Sequence, residues 1–105
     1  MPAYLIANVE VNDVELFKKY LAATPGILKK YTGRFLVRGG EILDYEGDWG
    51  PKRLVIIEFD SFIKAKEFYN SEEYKPLLEL RKSITETDLV IVNGISDELM
   101  KKLNY

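Results

Sequence analysis

Apolar and polar positions alternate from Ala3 to Val11. Leu5, Ala7, Val9 and Val11 fall on one side and Tyr4, Ile6, Asn8 and Glu10 on the other, the period of two that a β-strand imposes. Asn12 and Asp13 then offer N-cap side chains, and the period changes. Val14, Phe17, Leu21, Thr24, Leu28 and Tyr31 recur at helical spacing, which predicts an amphipathic helix. Pro25-Gly26 interrupts that stripe, and a kink or brief break is expected there, because proline has no amide to give and glycine is a weak helix former. The stretch from Tyr31 to Phe59 reads as a hairpin of two long strands. The first starts after Thr32-Gly33, bends at Gly39-Gly40 and continues through Ile42, Leu43 and Tyr45; the second runs from Arg53 to Phe59, with Gly47-Asp48-Trp49-Gly50-Pro51 as the tip. Asp60 and Ser61 cap a second helix with Phe62, Ala65, Phe68 and Tyr69 on its apolar side, ended by Asn70. Ser71 caps a further helical piece in which Tyr74, Leu77, Leu78 and Leu80 are apolar and Pro76 sits in the tolerant first turns. Thr87 to Asn93 is a β-branched run stopped by Gly94, and Ser96 opens a short terminal helix.

This order, strand-helix-strand-strand-helix-strand, predicts a single α+β domain over residues 1–105 with its core in 3–94 and the terminal helix at 96–103. The expected fold is ferredoxin-like: an antiparallel sheet with both helices on one face. Ile6, Leu36, Ile56 and either Leu89 with Ile91 or Val90 with Val92 would then line the face that the helices leave bare. An apolar sheet face of that extent is a liability in a monomer, so a second copy is expected to close on it, giving a homodimer that forms a dimeric α+β barrel.

Composition narrows the chemistry. Fifteen basic residues against 17 acidic ones leave no field of one sign, which disfavours nucleic acid and anionic membranes as partners. Cysteine and histidine are both absent, which removes thiolate nucleophiles, imidazole bases and the usual zinc and haem ligands that this chain would supply, so no metal site and no cofactor is expected. The first residues lack the basic start and cleavage site of a signal peptide, and no stretch is apolar for long enough to span a membrane; a cytoplasmic location is expected.

Charged residues threaded through the hairpin are the principal hint of a site. By strand parity Arg38 and Glu58 share the mixed face inside the dimer, where Glu58 would act as a general base with Arg38 as its electrostatic partner. Read without chemistry, they are a salt bridge that fixes strand register or the dimer. Tyr4 and Asn8 would orient a ligand by hydrogen bonds, or Tyr4 is a core aromatic with its hydroxyl at the rim. Trp49, with Arg53 nearby, would pack on the partner subunit, close a pocket as a lid or simply cap the sheet. Arg81 would bind a substrate carboxylate, although an arginine near a helix C-terminus is also favoured by the dipole alone. Tyr69, with Tyr31, Tyr45 and Tyr74, gives the interior or its entrance an aromatic character suited to a flat ligand, or merely to packing.

Arg38-Gly39-Gly40, Glu46-Gly47-Asp48-Trp49, Arg53, Glu58-Phe59 and Ser71 with Tyr74 together resemble a domain-of-unknown-function family within the dimeric α+β barrel superfamily, over Ala3 to Gly94. The resemblance implies the same fold and dimer. It also implies an architecture similar to that of cofactor-independent quinone-forming monooxygenases, haem-dependent dismutases and small-aromatic-lactone isomerases, of which the histidine-dependent members have no imidazole counterpart in this chain. No activity follows from the fold alone. The functional expectation is a homodimer that binds a small aromatic or carboxylate-bearing molecule, either as a cofactor-independent enzyme for proton transfer or oxygenation, or as a ligand-sensing or structural module.

Overall fold

The structure, a computed structural model, describes residues 1–104. Alternation places Leu5, Ala7 and Val9 of β1 (Ala3–Val11) on one side, and these are buried, as the period of two requires. β1 pairs antiparallel with β3 (Leu54–Phe59) and with β4 (Thr85–Asn93), while β2 (Arg34–Arg38) pairs with β3, so the sheet order is β2-β3-β1-β4. β4 begins at Thr85, ahead of the expected Thr87. The helices α1 (Val14–Lys30), α2 (Phe62–Tyr69) and α3 (Lys75–Ile84) supply the other half of the core: Phe17, Leu28, Ala65, Phe68 and Ile84 pack with Leu5, Ile57 and Phe59. A short α4 (Asp97–Lys102) follows, capped by Ser96, whose hydroxyl accepts from the Leu99 amide. This is the ferredoxin-like arrangement. Among the described residues no helix is long and apolar enough to cross a membrane.

The register decides which apolar pair lies on the bare face. Ile6 stands opposite Ile56 on one side and Val90 on the other, and Tyr4 opposite Val92, whereas Leu89 and Ile91 face the helices with Ala7 and Leu5. Val90 is 59% exposed. The bare apolar face is therefore real.

The hairpin is shorter than its sequence suggests. Residues 39–53 form no strand, because β3 starts only at Leu54 and leaves Ile42, Leu43 and Tyr45 without a partner. Gly39 turns the chain with φ +74°, and a Cβ there would collide with the Arg53 guanidinium packed against it. Asp44 steadies the loop by accepting from the Gly50 amide at 3.1 Å. At the other end of β2 the turn lies at Thr32-Gly33, but the left-handed residue is Thr32, at φ +65°. Gly33 is needed for a different reason: a Cβ would come within 2.8 Å of Leu28 and 2.9 Å of Phe59.

α1 runs unbroken through Pro25, so of the expected kink or brief break the break does not occur. Pro25 cannot donate to the Leu21 carbonyl one turn back, which would leave that oxygen without its helical partner. The Arg38 guanidinium supplies the missing donor, at 2.7 Å from the Leu21 oxygen. Arg38→Ala is expected to cost about 1 kcal/mol in urea unfolding. In a Pro25→Ala background, where residue 25 regains an amide, the same change should cost distinctly less. Equal costs in both backgrounds would show that Arg38 does not repair the helix.

Candidate functional site

The residues singled out from sequence do not form one pocket. A β-bulge separates them. The β2–β3 register runs Arg34 to Glu58 and Phe35 to Ile57, then shifts so that Val37 faces Ile56 and Arg38 faces Val55. One inserted residue reverses the side of everything beyond it. Arg38 therefore joins Phe35 on the helix face, with its guanidinium 4.4 Å from the Phe35 ring centroid, and does not meet Glu58.

Glu58 pairs with Arg34 instead, in a close contact, and Arg34 reaches Asp60 at 3.3 Å. Tyr4 is directly across from Glu58 on β1. Partial burial, and then the Glu58 carboxylate, push the Tyr4 phenol up, while hydrogen bonds to Glu58 and Asp60 hold Arg34 protonated more firmly than usual. Tyr4, Arg34, Glu58 and Asp60 thus make a polar group beside the bare face. The sequence showed Arg34 as one more hairpin charge; only its position opposite Glu58 distinguishes it.

Asn8 is occupied structurally. Its side-chain oxygen accepts from the amides of Lys52 at 2.8 Å and Arg53 at 3.3 Å, tying the end of the loop to β1. Arg53 lies against Gly39 and over the Phe17 ring at 5.5 Å, and its Nε is buried without a partner. Trp49 lies in the loop between β2 and β3 and is 63% exposed.

Tyr69 and Arg81 do come together, on the helix side. They form the wall of a cleft of about 520 Å³ between the ends of α2 and α3 and the helix-facing side of β4, with Thr87, Leu89 and Ile91 on the sheet side. Arg81 is only 4% exposed, and among the described residues its one side-chain hydrogen bond runs from Nε to the Tyr74 hydroxyl at 3.5 Å. Among the described residues no carboxylate pairs with it. Burial opposes its charge, the neighbouring Tyr74, Tyr20 and Tyr69 phenols more than offset that, and the guanidinium stays a cation. A largely buried arginine without a carboxylate partner is uncommon.

Arg81 also borders a second space. A cavity of about 40 Å³ lies between sheet and helices, with Leu5, Phe17, Val55, Phe68 and Arg38 among its lining residues, and meets the cleft at Arg81, Thr87 and Leu89. Tyr20 and Tyr74 also line this cavity, their hydroxyls 2.6 Å apart and that of Tyr74 facing the Arg81 Nε. Tyr20 was not foreseen as polar machinery, since from sequence it lies just off the apolar stripe of α1; only the fold brings it to Tyr74. Among the described residues no three acidic side chains gather as a metal site.

Comparison with known proteins adds the family but no activity. No curated protein matches the chain. Among solved structures, a protein of unknown function from Rhodopseudomonas palustris is 14% identical, with TM-score 0.71 over 90% of this chain and 83% of that one. A dimeric ferredoxin-like protein of unknown function from Jannaschia is 9% identical, with TM-score 0.67 over 90% of this chain and all of the other. SnoaB from Streptomyces nogalater, a cofactor-independent oxygenase, is 7% identical, with TM-score 0.62 over 90% and 94% of the two chains. At such identities the likeness is one of fold. The model of one family, described as a domain of unknown function, matches residues 2–95, and the chain belongs to that family, DUF1330.

Proposed function

We propose that this protein is a homodimer that binds a small organic molecule in the cleft between α3 and β4 of each protomer. The observation that carries the ligand is the meeting of Tyr69 and Arg81, from separate helices, in the wall of that cleft. Its volume of about 520 Å³ falls within the roughly 300–1,000 Å³ of small-molecule sites. Ile6, Ile56, Val90 and Val92 support the dimer, as an apolar sheet face on which Val90 and Val92 are exposed and the two isoleucines half-buried. The Jannaschia neighbour is described as dimeric, which agrees with this reading. Glu58 and Tyr4 would then be enclosed between two sheets, and Glu58 would serve first as half of an ion pair with Arg34.

A second reading is enzymatic, as cofactor-independent proton transfer or oxygenation, the latter being the chemistry named for SnoaB. The observation in its favour is the Tyr20–Tyr74 hydroxyl pair beside Arg81: one phenol donates to the other, and the remaining phenol proton with the guanidinium would be the donors to a developing oxyanion. No carboxylate lines the cleft, so proton handling there would not fall to Glu58.

A thermal-shift screen of small metabolites tests the site. A compound that binds only the folded protein at about 100 times its Kd stabilises it by about 2.7 kcal/mol. The expected hit raises the melting temperature of the native protein and loses that effect in Tyr69→Ala. Absence of any hit, or a hit indifferent to Tyr69→Ala, would remove the cleft as the binding site. Incubating the hit with protein in air and following its consumption separates enzyme from binder.

A further inference from the structure

Resting on that reading of the cleft, we infer that its ligand is an aryl carboxylate, held by its carboxylate on Arg81 and by its ring against Tyr69 and the Leu89–Ile91 strip. Three observations converge. The first is charge. Arg81 and Lys82 are both in the cleft wall, and none of its lining residues is acidic. The last carbonyls of α3 carry the negative end of the helix dipole, equivalent to roughly half a charge, which two whole cations outweigh.

The second is the donor inventory of Arg81. Nε is directed to Tyr74, whereas the terminal nitrogens find no acceptor among the described residues. A planar guanidinium with free terminal N–H groups at the border of a cleft matches the two oxygens of a carboxylate. Nearby hydroxyls do not compete for it. Thr85 donates its single hydroxyl proton to the Arg81 carbonyl at 2.7 Å, so in the 2.8 Å contact with Thr87 it is Thr87 that donates. Both protons are used within the protein. Thr87 therefore presents lone pairs to the cleft, which suits a hydroxyl or amino substituent on the ligand and leaves the anion to Arg81.

The third is shape. The Tyr69 ring is braced by Tyr74, with centroids 6.1 Å apart, and Tyr74 is itself packed on Phe68 at 4.3 Å. A rigid aromatic wall facing two branched aliphatic side chains favours a flat apolar body over a flexible one.

Titrating the ¹⁵N- and ¹³C-labelled full-length protein with benzoate, benzyl alcohol and inorganic phosphate tests this. Benzoate is expected to shift Tyr69, Leu89 and Arg81 signals in a saturable way, with benzyl alcohol and phosphate each at least about tenfold weaker. Arg81→Met removes an unpaired buried charge while keeping most of the side-chain volume, so the variant should fold. It is expected to bind benzoate roughly 10- to 100-fold more weakly. Arg81→Lys, with charge but no fork, should fall between. Benzyl alcohol binding as well as benzoate, or Arg81→Met binding benzoate like the parent, would overturn the carboxylate while leaving the cleft a ligand site. Phosphate binding as well as benzoate would overturn the aryl body. No saturable shift in the cleft with any probe would overturn the carboxylate site and, with a failed metabolite screen, the cleft reading itself.

Discussion

Val90→Asp is expected to abolish the proposed dimer without unfolding the protomer. Val90 is already 59% exposed in the single chain, so a carboxylate there remains solvated when the protomer is alone. Across a closed sheet-to-sheet interface the same carboxylate would have to shed its water beside Ile6, its cross-strand partner, at an effective cost of several kcal/mol per ion. A two-fold axis imposes that cost twice. Sedimentation at micromolar concentration should show half the parent mass, and the far-ultraviolet circular dichroism should be unchanged. A parent protein that already sediments as a monomer would end the face-to-face pairing and with it the enclosure of Glu58. The ligand cleft would survive that result, because it lies on the opposite side of the sheet.

Tyr74→Ala is expected to be the most damaging of single truncations near the cleft. Tyr74 is 2% exposed and touches Phe68, Tyr69 and Tyr20 through its ring. Removing a ring of this size from a core costs about 3–5 kcal/mol, a large part of the stability of a small domain. Tyr74→Phe separates packing from polarity. It keeps the ring but leaves the Arg81 Nε and the Tyr20 hydroxyl without their partner, for an expected loss of about 1–3 kcal/mol in urea unfolding. A Phe variant as stable as the parent would show that the hydroxyl pair contributes nothing to folding. Alkali probes the same pair. Burial, and then Tyr74, raise the Tyr20 phenol above its ordinary value of 10.0, because the fold holds it neutral. Its contribution is intact below pH 10, where the unfolded phenol is also neutral, and is lost as pH rises from there toward the raised folded value.

Where local chemistry decides, the chain could be read directly. The alternation of β1 follows from the strand period, and the Asp13, Ser61 and Ser96 caps follow from the need of first-turn amides for an acceptor; each accepts the amide three residues on. The four-strand order and the bare apolar face are consequences of these patterns. Tyr69 and Arg81 were also visible as candidates, since an aromatic and a guanidinium are recognisable anywhere.

Their meeting was not visible, nor was the parting of Arg38 from Glu58. The parity rule that placed those two on one face holds only for an uninterrupted ladder, and the bulge between Phe35 and Val37 adds one residue that no local propensity announces. Pro25 shows the same limit from the other direction. A proline signals a break because its own helix cannot satisfy the carbonyl one turn back, yet α1 stays continuous because a side chain from another strand does so. The residues beyond Gly39 read as strand by composition but are loop, since a strand exists only where a neighbour offers a ladder. By itself the sequence determined which segments could become helix or strand and which of their sides would avoid water. Only the tertiary structure decided which polar groups complete one another, because hydrogen bonds and charges act over a few ångströms and those distances are set by long-range pairing.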